Sequence, residues 1–292
     1  MNSALASIAL VLTAVGLAGC SAAPGSALSA DVTGSLPPGV SISVFQTRFD
    51  YGVRQLEIKV TNGTGEPFAV ASAAFDSTRF VGTALWSRSQ DIPAGSARDL
   101  RVQLGDPVCD SAASADSVTL AFVLPNGDTG RATVTPQDEQ GYVDTINVQD
   151  CLVSSAAAIA EITPSEQVQW TAGAGQPVTV ELTVTPSSGG GTLTIHAARG
   201  TTLIAPSGLD GQPIDAIPIE RVVDASTPPF TLPLSFIPNR CDVHAVAEDK
   251  RGTFLPLELS TSDGRAGTVY LAVTDSVRRS FYNYYADYCG LP

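Results

Sequence analysis

The sequence predicts an all-β chain of two tandem sandwiches, closed by a short C-terminal helix. Three observations predict this. Short apolar–polar alternations recur with Gly-, Asn- and Pro-rich turns between them, as expected for an all-β sandwich. They recur in the same order in the two halves of the chain. Each half also carries two cysteines in matching places.

The alternations can be justified one by one. In LEIKVTN, Leu56, Ile58 and Val60 fall on one face; in VELTVTP, Val180, Leu182 and Val184 do the same. A period of two marks a half-buried strand. The turns NGTGEP and PSSGGG follow, rich in residues that adopt unusual backbone angles. Leu100, Val102 and Leu104 stand nine, seven and five residues before Cys109, and Leu232, Leu234 and Phe236 stand at the same offsets before Cys241. An aspartate follows each cysteine, Asp110 and Asp242. Gly130-Arg131-Ala132 and Gly264-Arg265-Ala266 open a further strand in each half, and the halves close on Cys151 and Cys289. Such ordered recurrence is the signature of an internal repeat. Further strands are expected at SISVF, FAVASAAF, VTLAFVL and TLTIHAA, and IPAGSARDLRV should pass from a loop into a strand. The sandwiches are placed at residues 36–152 and 164–292, with a linker at 153–163. In DSVRRSFYNYYADYCG, Val277, Phe281, Tyr284 and Tyr288 recur at helical spacing, with Asp275 to cap the start and Gly290 to end the helix. Its tyrosine stripe is expected to pack on the second sandwich.

The N-terminal segment breaks the β pattern. Residues 4–18 form an uncharged apolar run of about 15 residues, short of the roughly 20 that span a bilayer. A run of this length ending in small residues fits a cleaved signal peptide. Leu17-Ala18-Gly19-Cys20 resembles the lipobox of bacterial lipoproteins. That resemblance implies diacylglycerol on the Cys20 thiol, palmitate-type acyl chains, and cleavage after residue 19. Two chains anchor stably where one is marginal. Residues 20–35, rich in Ser, Ala, Gly and Pro, then form a flexible tether.

This assignment resolves the odd cysteine count. Five cysteines less an acylated Cys20 leave four, which allow three pairings. The repeat selects Cys109 with Cys151 and Cys241 with Cys289. Disulfides on this scale belong to an oxidising compartment.

A net charge of −13, from 29 acidic and 16 basic residues, argues against nucleic acid or anionic lipid as a docking partner, because both require a basic patch. Arg far outnumbers Lys and Ala is abundant, the bias of a GC-rich genome. GxSxG, SxxK, HExxH and a phosphate-cradling glycine loop are absent. NGDTG lacks the closing glutamate of a calcium loop and is expected to be a hairpin turn. The two histidines, His196 in a strand and His244 beside Cys241 and Asp242, are the candidates for metal or general-base chemistry, though strand histidines are more often structural. No catalytic residue, metal ligand or cofactor is assigned.

The chain resembles uncharacterised actinobacterial lipoproteins built from tandem immunoglobulin-like modules, a resemblance that implies a fold and an address but no activity. The expected role is a membrane-anchored, extracytoplasmic, non-catalytic interaction module with an envelope protein or glycan as partner. The alternatives are a cell-envelope hydrolase with a carboxylate site and a passive spacer or metal-handling accessory.

Overall fold

A computed structural model describes residues 31–47, 50–110, 115–173, 175–242 and 254–291, together with His244, Val246 and Asp249. The segments expected to be a signal peptide and the first part of a tether, with Cys20, lie outside the described residues.

Each half is a sandwich of two sheets. In the first unit, β2 (Val40–Phe45), β3 (Gln55–Asn62) and β7 (Ala97–Gln103) form a three-stranded sheet. It faces a sheet of β1 (Asp31–Thr33), β9 (Thr129–Val134), β8 (Asp116–Val123), β4 (Phe68–Ser77) and β5 (Thr83–Trp86), with β6 (Gln90–Ile92) also on β4. In the second unit, β10 (Ala160–Pro164), β11 (Val178–Pro186), β15 (Phe230–Pro238) and β13 (Ile204–Pro206) face β14 (Ala216–Val223), β12 (Leu193–Arg199), β16 (Phe254–Thr261) and β17 (Ala266–Ala272). The fold is thus all-β, with two tandem immunoglobulin-like sandwiches. Alternation builds both cores. Leu56, Ile58 and Val60 meet Val70, Phe75, Leu120 and Phe122 in the first; Val180, Leu182 and Val184 meet Ile195, Leu257 and Leu259 in the second.

The repeat extends to backbone register. Ile58 pairs with Leu100 and Leu56 with Val102; Leu182 pairs with Leu232 and Val180 with Leu234. These are the residues that the sequence repeat aligns. Each unit also has a bulge at the same point, between Val70 and Ser72 against Phe122 and Ala121, and between Ile195 and Ala197 against Leu259 and Glu258. The β8–β9 and β16–β17 hairpins turn identically. Gly127 N–H donates to Leu124 O and Leu124 N–H to Asp128 O; Gly264 N–H donates to Thr261 O and Thr261 N–H to Arg265 O. Gly127 and Gly264 have φ of 87° and 88°, the left-handed residue that a three-residue hairpin loop requires. The structural partner of Gly264 is therefore Gly127. This corrects the expected match with Gly130 by three residues: the turn, not the Gly-Arg-Ala string, sets the equivalence.

After its last strand each unit runs into a helix, and the disulfide ties that helix to the segment that follows β7 in the first unit and β15 in the second. Cys109 is bonded to Cys151, with Cα atoms 5.4 Å apart. Cys241 is bonded to Cys289 at 5.3 Å. The C-terminal helix, α2 (Asp275–Cys289), buries Val277, Phe281, Tyr284 and Tyr285 in the second core. Its cap is Thr274, whose side chain accepts the N–H of Val277. Asp275, expected as the cap, is instead the first helical residue. Gly290 closes the helix in the left-handed region. Tyr285 OH donates to the carbonyls of Arg240 and Asp242 and accepts the N–H of Asp242, so the helix also shapes the Cys241 turn.

The join between the units is built from regular structure. Residues 153–163, placed as the linker, are helix and strand. They belong to α1 (Tyr142–Ile159) and to β10, which pairs with β11. The helix is shared: Val143 and Ile146 enter the first core, and Leu152, Ala156 and Ile159 enter the second. Asn147 Nδ2 donates to Arg79 O (2.8 Å) and Arg54 reaches Asp150 (2.8 Å), both in the first unit. On the other side Gln149 donates to Thr268 O (2.7 Å) and Ser155 to Asp263 (2.9 Å). The second core therefore begins in α1, ahead of residue 164. Asp31–Thr33, expected in the tether, pair in parallel with β9, because an open strand edge offers unpaired N–H and C=O groups.

Candidate functional sites on the outer sheet faces

The inner sheet faces are filled by apolar side chains, so polar chemistry is carried outside. One cluster is built on the bulge of β12. The extra residue there is His196, turned to the outer face. Its Nε2 lies 2.8 Å from Ser260 Oγ on β16, and its Nδ1 lies 3.1 Å from Glu220 Oε2 on β14. A carboxylate only accepts hydrogen bonds. In the neutral ring Nδ1 therefore carries the proton, and the lone pair of Nε2 faces the serine hydroxyl, which donates. Glu220 has φ of 46°, one of two non-glycine residues with positive φ among the described residues. That conformation is sparsely populated and costs energy wherever it is held. The His196 side chain is 38% exposed and that of Glu220 71%. Beside them, Arg199 Nε donates to Glu258 at 2.7 Å, two residues before Ser260. Three strands are bridged by one chain of polar contacts.

The second cluster lies in the first unit. Glu57 points away from the core between Leu56 and Ile58, yet its side chain is only 3% exposed. Arg101, its neighbour across β7, donates to it at 2.6 Å and lies 3.2 Å from the buried Asp50. Asp50 also accepts the N–H and hydroxyl of Thr47, at 2.7 and 2.6 Å, which pins the β2–β3 connection. Burial pushes the Glu57 carboxyl above its ordinary range, and the hydrogen bond from Arg101 offsets this only in part. This is a pair of carboxylates sharing one guanidinium.

The remaining sites follow the chain locally. His244 is 81% exposed; its backbone N–H donates to Asp242 at 2.9 Å, so it belongs to the turn after Cys241. Asn62 is fully buried, and its Nδ2 donates to the carbonyls of Glu66, Ile92 and Pro93. Asn62 therefore locks the turn that follows β3. Burial pushes the Tyr284 hydroxyl's pKa upward. Tyr284 donates to Phe236 O and stacks edge-on against Trp170, which places the tyrosine stripe in the core. No group of three or more metal-ligating side chains occurs among the described residues. No helix among them is long and apolar enough to cross a membrane.

Glu220 and Ser260 escaped the sequence reading. They stand 24 and 64 residues from His196, and no local motif joins them. Only sheet register brings them together.

No family model matches the chain, and no curated protein does. Solved structures give distant likenesses. Red sea bream transglutaminase aligns over 82% of this chain at 14% identity with a TM-score of 0.23. The chain spans about a third of that enzyme's length (32%). A Porphyromonas gingivalis protein of unknown function aligns over 74% of this chain and 89% of its own, at 12% identity and a TM-score of 0.21. The Pseudomonas aeruginosa CupB2 chaperone covers 75% of this chain and 92% of its own, at 12% identity and a TM-score of 0.19.

Proposed function

We propose that the chain is a lipid-anchored, extracytoplasmic interaction module of the bacterial envelope, of the tandem-sandwich lipoprotein type found in actinobacteria. Cys20 carries the diacylglycerol, residues 20–30 lead to the first sandwich, and an envelope protein or glycan is the partner. The observation that carries this reading is the disulfide in each unit, because paired cysteines persist in oxidising compartments. The helix α1 supports it further: it links the two sandwiches through shared packing, which suits presentation of a surface at a distance from a membrane.

Fractionation tests the anchor. Cys20→Ala is expected to leave the membrane fraction or to accumulate unprocessed. A variant that partitions with membranes as the parent does contradicts the assignment. Crosslinking of the anchored protein in its native envelope then identifies the partner.

A further inference from the structure

The polar bridge on the second unit has the parts of an activated nucleophile. Ser260 Oγ is within hydrogen-bond reach of a histidine nitrogen that offers it a lone pair in the neutral ring, and a carboxylate contacts the ring from the far side. This is the arrangement that makes a weakly nucleophilic hydroxyl reactive. The repeat supplies an internal comparison. The first unit has the same bulge and the same turn, but the positions equivalent to His196 and Ser260 are Ala71 and Val123. The bulge is therefore architecture, and the chemistry has been added to it in one unit only. Glu220 holds a strained backbone conformation at the residue that completes the bridge; such strain is concentrated at functional sites.

We propose that Ser260 is an acyl-accepting nucleophile for exposed esters, with His196 as its general base and Glu220 as the positioning residue. Ser260 Oγ attacks the ester carbonyl carbon while its proton passes to His196 Nε2. The acyl carbon–oxygen bond to the alcohol breaks, and the alcohol oxygen leaves with that proton. The product is an acyl ester of Ser260, which water hydrolyses by the same route in reverse roles. The Arg199 guanidinium, held by Glu258 about 7 Å along β16 by strand rise, is the nearby positive charge on this face. Arg199 and Glu258 form an ion pair on the same sheet face as the relay. The open setting suits esters presented on a surface, and slow release of the acyl group is expected. The anchoring test does not involve Ser260, so the two readings fail independently.

The test uses a fluorophosphonate, which transfers phosphorus to activated serines with loss of fluoride, on the disulfide-intact chain. The expected result is one adduct, mapped to Ser260 and absent from Ser260→Ala. Its rate should fall at least about tenfold in His196→Gln. Glu220→Gln should slow it and Glu220→Asp should restore part of the loss, with unchanged unfolding midpoints. Equal labelling of Ser260→Ala, or of a folded His196→Gln, overturns the proposal. Should the histidine variant lose stability, wild type decides alone: Ser260 labelled no faster in the native chain than in the reduced, unfolded chain overturns it.

Discussion

The two units share a backbone and differ in how they end and in what they carry outside. Strand pairing, bulge, hairpin turn and disulfide-to-helix tie recur in both. Yet α2 spends its whole apolar face on its own unit, whereas α1 divides its face between two cores. Outside, the first unit buries an acid pair beside Arg101, while the second exposes a histidine bridge. The lesson is that the inner faces and turns define this scaffold, leaving the outer faces free to diverge. The junction is made by lengthening an element that each unit already needs.

The comparison breaks first at the disulfides. Cysteines 42 and 48 residues apart close loops of similar length, so the chain-entropy model predicts losses of about 4 kcal/mol for either. Replacing both cysteines of one pair by Ala should lower the stability of that unit, and the two pairs should cost alike in denaturant melts. A loss confined to one pair would mean that the ties are not equivalent.

The next effect sharpens the division of α1. Leu152→Ala should cost about 2–5 kcal/mol and loosen the second unit; Ile146→Ala should cost somewhat less and loosen the first. Amide exchange resolved by strand tells the two apart, and identical patterns from both variants would contradict the split.

Smaller still is a pH effect at Glu57 of the first unit. Glu57 holds its proton more firmly in the folded chain than its ordinary value of 4.5 allows. The associated stabilisation is present in full below the unfolded pKa and is lost as pH rises through the folded one. The stability of wild type relative to Glu57→Gln should therefore decline from below pH 4.5 upward. A flat or rising difference would mean that Arg101 overcompensates burial. The smallest effects are at the helix starts. Asp138 accepts the N–H groups of Tyr142 and Val143 at 2.8 and 2.9 Å, and Thr274 caps α2. Alanine at either should cost about 1 kcal/mol, read as a shift in midpoint.

What was legible in the sequence follows from these physics. Period-two alternation and the cysteine offsets are written locally, so the strands around Leu56, Leu100, Val180 and Leu232 and both disulfide partners could be placed. The helix α1 was not. Val143, Ile146, Leu152, Ala156 and Ile159 do recur at helical spacing, but the stripe serves two cores and is interrupted by exposed Val148 and Val153. Its alanines and serines resemble a linker by composition. The polar bridge was least legible of all, because His196, Glu220 and Ser260 meet only through register across three strands.

The shared helix is the central claim, and hydrogen exchange of the native chain tests it most directly. If α1 and β10 are common to both cores, the amides of Leu152 to Ile162 should exchange about as slowly as those of β11, as parts of a cooperative unit. Protection that ends near Cys151, with residues 153–163 exchanging like an open loop, would contradict the account and restore a simple linker between two independent sandwiches.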